Sequence, residues 1–245
     1  AFEGVQQENY DLHVRMHGRW HVHPLTNYVN TELADFIDGE TQWQTDVNLA
    51  LSHSDFSYKA TLDADLTATK SLLPAPFDTP AGTSLPLSIS SEGDSIASNV
   101  RATLGKNIRF SGVLPHQEMQ FSRAHLALGN SEISNIGTGF SIAANLPEAD
   151  VHEWFNTIDM LVSGKGQVEQ SVASRSTASE TNNTKRNNAN IFGTPSRIFA
   201  KADKLKFADY TIKNAELSAT ERDRDWILDV TSAQARATVR INSDL

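Results

Sequence analysis

Four histidines share one side of a short stretch: His13, His17, His21 and His23 all fall in one phase of a period-two pattern. Imidazole is a common metal ligand, and His21 and His23, two residues apart, would point the same way from a strand. No carboxylate lies between residues 12 and 23, so a metal would need ligands from a neighbouring strand. The expectation is a solvated strand face and no metal. Asp63 and Asp65 have the same relation to each other. Glycoside hydrolysis needs two carboxylates facing each other across a cleft, whereas paired acids on one polar strand face read as solvated. Gly164-Lys165-Gly166 is too short for a phosphate loop and runs into polar sequence rather than a helix. Neither a Gly-x-Ser-x-Gly elbow nor a His-Glu-x-x-His pair is present. With no cysteine in the chain, thiolate catalysis and disulfides are excluded. The residue types therefore predict no enzyme, no catalytic residues and no cofactor. Arg15, Arg19, Arg101, Arg109 and Arg123 are scattered along strands, where cross-strand pairing and solubility account for them.

The elements that carry these residues are more informative than the residues themselves. In 12–23, Leu12, Val14, Met16, Trp20 and Val22 alternate with the histidines and arginines, which predicts a strand with one dry and one wet face. The rhythm returns with Trp43, Val47, Leu49 and Leu51, then with Phe56, Tyr58, Ala60, Leu62, Ala64 and Leu66. Further strands are predicted near 85–91, 97–104, 107–114 and 140–146. After Pro195 the predicted runs are 197–207, 210–220, 225–231 and 234–242. Met119 and Phe121 are out of phase with Ala124, Leu126 and Leu128, which predicts a bulge near 122–123. Helical spacing is rare. Residues 31–38 suit a short helix, and 151–162 a better one, with Asp150 as its cap and Trp154 and Phe155 in its apolar stripe. Pro74, Pro76 and Pro80 exclude a regular ladder across 73–82. Residues 164–195 read as a polar linker or mobile loop. The predicted organisation is a β segment over 1–163, that linker, and a continuing β meander over 196–245.

The totals agree. A chain of 245 residues with net charge −9 has no basic excess for a phosphate backbone, so nucleic acid is not an expected partner. No run approaches the ~18 apolar residues of a membrane span. The chain starts at Ala1 without a basic, apolar leader and is expected to be a processed product or an excised piece.

Three passages resemble the YhdP family of the AsmA-like superfamily. They are the proline loop Leu73-Pro74-Ala75-Pro76-Phe77-Asp78-Thr79-Pro80-Ala81-Gly82 with Leu85-Pro86-Leu87, the stretch from Gly139 to Trp154 with its Leu146-Pro147 and Asp150, and the β pattern of 202–239. The resemblance spans roughly residues 40–242 and rests on order and spacing. It implies a mainly β fold: a long twisted antiparallel sheet curled into an open groove, with one or two short helices. It also implies a segment of a periplasmic, inner-membrane-anchored protein of outer-membrane biogenesis, whose anchor lies outside this chain. The implied activity is intermembrane transport of phospholipid, with acyl chains as partners. The residues expected to line the groove are Trp43, Val47, Leu49, Tyr58, Leu62, Val100, Leu104, Ile108, Phe110, Phe140 and Ile142. Two rival readings stand beside this one: a structural or adhesive β module with a closed core, and an envelope hydrolase.

Overall fold

The computed structural model describes residues 10–21, 37–52, 55–74, 77–131, 137–154, 156–157, 191–222 and 225–242. Fourteen strands follow in order: β1 (Tyr10–His21), β2 (Ile37–Asp38), β3 (Glu40–Leu51), β4 (Phe56–Asp65), β5 (Lys70–Ser71), β6 (Pro86–Asp94), β7 (Ala97–Leu104), β8 (Ile108–Pro115), β9 (Arg123–Gly129), β10 (Gly139–Asp150), β11 (Pro195–Phe207), β12 (Tyr210–Arg222), β13 (Asp225–Thr231) and β14 (Arg236–Asn242). Twelve of them form one sheet in the order β1-β3-β4-β6-β7-β8-β9-β10-β11-β12-β13-β14, and β2 and β5 pair separately. The sheet is open, with β1 and β14 as its two edges.

Local chemistry explains the turns. The Asp94 carboxylate accepts the amides of Ile96 (2.8 Å) and Ala97 (3.1 Å), which folds β6 back onto β7. Ser232 Oγ does the same for Gln234 and Ala235 between β13 and β14. Gly105 turns β7 into β8 with φ +58.

The sheet is mixed rather than wholly antiparallel. Nine of its eleven pairings are antiparallel, but β9–β10 and β10–β11 are parallel. A parallel neighbour requires the chain to return to the starting end of the sheet, so no tight turn serves there. The link from β9 to β10 is anchored at both ends: Arg109 donates to the Ser131 carbonyl, and Arg197 Nη2 to that of Thr138 at 2.9 Å. The link from β10 to β11 opens as a helix at 151–154 and 156–157. Asp150 caps it as expected, accepting from the amides of His152 (2.9 Å) and Glu153 (3.2 Å).

Two local expectations are corrected. Ile37 and Asp38, assigned to a helix over 31–38, pair with Ser71 and Lys70; the rest of that stretch lies outside the described residues. Met119 and Phe121 do not sit on a bulged strand. They belong to the β8–β9 link, where Met119 takes φ 51 and Phe121 folds back over Gly112. The remainder of the 151–162 helix, and 164–190 of the polar stretch, lie outside the described residues.

The buried core gathers around β9–β11. Leu128, Ile142, Leu146, Ala149 and Ala202 pack with Phe77 from the proline loop. Trp154 and Leu73 pack against this cluster from outside.

Candidate binding face

Partners across a ladder point to the same side, so register assigns the residues of a regular ladder to a face. One line of partners runs Gly18, Trp43, Ala64, Leu87, Leu104, Ile108, Leu128, Ala144, Ala200, Leu217, Val230, Ala237, crossing all twelve strands with only apolar residues or glycine. The next line runs Met16, Thr45, Leu62, Ile89, Ala102, Phe110, Leu126, Ile142, Ile198, Ala219, Leu228, Val239, and Thr45 is its single polar member. The Thr45 hydroxyl is satisfied by the Thr61 carbonyl at 2.7 Å. Between these lines, on the opposite side, lie His17, Gln44, Asp63, Ser88, Thr103 and Arg109.

The eleven residues expected to line the groove all fall on the dry side. Trp43, Leu104 and Ile108 belong to the first line, and Leu62, Phe110 and Ile142 to the second. Val47, Val100 and Phe140 form a third line with Val14 and Ala124, and Leu49 pairs with Tyr58 in a fourth. Their surroundings differ. Phe110 and Phe140 join Phe121 and Phe192 in an aromatic cluster with centroid distances of 5.2–6.1 Å. Ile142 is in the core, and Ile108 packs against it. Trp43 lies against Gly18, where a Cβ would stand 3.0 Å from the ring, and stacks on Trp20 with centroids 4.0 Å apart. The Tyr58 hydroxyl is held by Ser91 (2.8 Å) and Ser98 (2.5 Å), and Ser98 also bonds His116 Nε2 at 2.7 Å. This hydroxyl group interrupts the apolar surface near the β6–β7 turn. Its sequence signal is two serines, Ser91 and Ser98, in the dry phase. Sequence reasoning also left out Leu87, Leu217, Leu228 and Val230, whose alternation is as regular as that of the residues it chose.

The opposite side is polar over β1–β8, whereas the same line continues through Ala127, Ala143 and the exposed Phe199 on β9–β11. A hollow of about 620 Å³ there is lined by His17, Arg19, Gln42, Gln44, Asp63, Asp65, Pro86 and Ser88, together with the intervening residues of the first dry line. Asp65 is engaged at its own strand end, accepting from the hydroxyl and amide of Thr67, and these bonds hold its carboxyl below the usual range. His13 Nε2 donates to both oxygens of Asp46 at 2.9 Å. That bond, followed by the one from Arg15, lowers the Asp46 carboxyl. His21 faces Glu40 at 3.2 Å. Among the described residues no group of three metal-ligating side chains comes together; His23 lies outside them.

These depressed carboxylates set a pH dependence. Asp46, Asp65, Asp94 and Glu148 all titrate below their ordinary values. Each contributes stability that is present above its unfolded pKa and lost as pH falls through the folded one. The urea midpoint should hold steady near neutrality and drop between about pH 5 and pH 2, and Asp46→Asn should reduce that drop. A midpoint indifferent to acid would contradict the contacts that lower these carboxylates: His13 and Arg15 at Asp46, Thr67 at Asp65, the Ile96 and Ala97 amides at Asp94, and Lys206 at Glu148.

The family-model match to "YhdP protein" covers residues 1–245, the entire chain. The chain belongs to the YhdP family. No curated protein and no solved structure matches it. The YhdP family is a cell-envelope family, and the first forty residues, which the sequence resemblance left out, are included in the match. The open, mainly β sheet agrees with the fold class expected from that resemblance, and its two parallel junctions depart from the antiparallel sheet expected there.

Proposed function

We propose that this YhdP-family chain is a segment of an intermembrane lipid-transport protein and that its dry face shields phospholipid acyl chains in the periplasm. The single observation that carries this reading is the unbroken apolar line across all twelve strands. Each buried CH₂ is worth about 0.8 kcal/mol, so a sixteen-carbon chain in water costs on the order of 12 kcal/mol. A surface that replaces water along the whole route removes most of that barrier. It also needs no directional contacts, because hydrophobic attraction has none. Between the two edge strands the sheet's backbone groups bond each other, so the interior of the route presents amides that are already paired. The parent protein's membrane anchor and the inner membrane it engages belong to the same reading.

Two features favour this over a closed β module. Large apolar side chains remain exposed on the dry side near both edges: Leu12 (51%), Met16 (46%) and Leu51 (40%) on β1 and β3, and Val239 and Ile241 (46% each) on β14. The twelve-stranded sheet also has no second large sheet across it among the described residues. Lipids co-purifying with the chain should be identifiable by native mass spectrometry, and the delipidated chain should take up a fluorescent fatty acid. A chain that carries no lipid and takes up none would overturn the proposal.

A further inference from the structure

The dry face is open near its edges and covered at its middle. Phe77 is only 7% exposed and is seated among Leu128, Ile142, Leu146 and Ala202, contributed by β9, β10 and β11. It comes from the β5–β6 loop, more than forty residues earlier in the chain. The helix after β10 brings Trp154 against the same cluster. The two rings meet edge to face, with centroids 5.8 Å apart.

We propose that Phe77 and Trp154 form a clasp that occupies the acyl-chain seat over β9–β11 and parts when a chain passes between the two halves of the face. The inference rests on the acyl-chain reading above. The roots of the clasp are firm. Leu66 donates to Leu85 (3.1 Å), Gly82 to Thr67 (2.7 Å), and Ser71 and Thr79 bond reciprocally at 2.9 and 3.2 Å, while Asp150 caps the helix. Among the described residues of the loop's tip, Leu73 and Phe77 pack against the cluster on the sheet, and the Phe77 amide donates to the Pro74 carbonyl at 3.0 Å within the tip itself. An apolar seat filled by a phenyl ring satisfies the same non-directional attraction that an alkyl chain would, so the ring and the chain compete for one place. Hydrogen-bonded roots and a tip seated by apolar packing are what a reversible cover needs. On either side of the cover the same dry line continues, towards Met16 at one edge and Val239 at the other.

The absence of cysteine makes a direct test available. In the double variant Phe77→Cys, Trp154→Cys, a bis-maleimide bridges the two positions and closes the seat in place of the rings, and the unlinked variant, whose seat is open, is the comparison. Both are exposed to a palmitate carrying a photoreactive group, and the adducts are mapped by peptide. The locked form should keep its adducts on β1–β4 and lose those on β9–β11 by about tenfold relative to the unlinked form. Equal labelling of β9–β11 in both forms overturns the clasp while leaving the acyl-chain reading in place. Absence of adducts on every strand in both forms overturns the acyl-chain reading and the clasp with it. A second variant guards against misfolding of the first: Phe77→Ser alone should raise labelling of β9–β11 by about tenfold over the native chain, and unchanged labelling overturns the clasp.

Discussion

Replacing Gly129 with alanine should destabilise the protein by about 3 kcal/mol or more, combining a left-handed backbone with overpacking. For a chain of this size that corresponds to a fall in melting temperature of about 6–12 °C. Gly129 ends β9 at φ +66, where the chain leaves an antiparallel ladder for a parallel one. Its amide donates to Asn107 at 2.6 Å, and the amide of Asn130 donates to Asn145 at 3.1 Å. A Cβ at position 129 would run into the Asn145 carbonyl oxygen, a backbone atom of β10, which is held between β9 and β11. No side-chain rotation relieves that contact. Thermal unfolding followed by circular dichroism measures the effect, and a change under about 1 °C would mean that the β9–β10 junction is built differently.

The second large effect concerns the face itself. Leu104→Glu should weaken acyl-chain binding by at least about tenfold, because a carboxylate either loses its hydration beneath the chain or must take up a proton. Leu104 stands between Leu87 and Ile108 in the wholly apolar line. Thr103, one residue earlier, points to the wet side and pairs with Arg109. Thr103→Glu adds the same charge to the same strand and should leave binding within about twofold. Titration of both folded variants with a fluorescent fatty acid decides the matter. Equal losses would show that the bound chain does not lie on the dry side.

Strand positions were legible because each strand keeps one wet and one dry side, and period-two alternation records that directly. The boundaries of β7 and β13 coincide with those read from the sequence, and those of β8 and β12 differ by one or two residues. The shared side of the eleven chosen residues was legible for the same reason: alternation assigns phase, and cross-strand register carries that phase from one strand to the next. Strand direction was not legible. The alternation of β10 is the same whether its neighbours run with it or against it, so nothing in Phe140, Ile142, Ala144 and Leu146 announces a parallel pair. The cover over β9–β11 was hidden as well. Phe77 sits among prolines and reads locally as part of an irregular loop, and its seat is made by residues far along the chain. Trp154 was correctly placed on a helix, but only the fold brings its ring to Phe77.

Among the described residues the sheet ends at β1 and β14, and these two edges carry a consequence for size. A barrel fixes its strand number through closure, since adding a hairpin changes its diameter and tilt everywhere. Here each strand is bonded only to its immediate neighbours. Hairpins can therefore be gained or lost at β1 or β14 without re-registering the rest, much as modules are added to a solenoid. The reach of such a scaffold is an additive property, adjustable in steps of one hairpin to whatever gap it has to bridge.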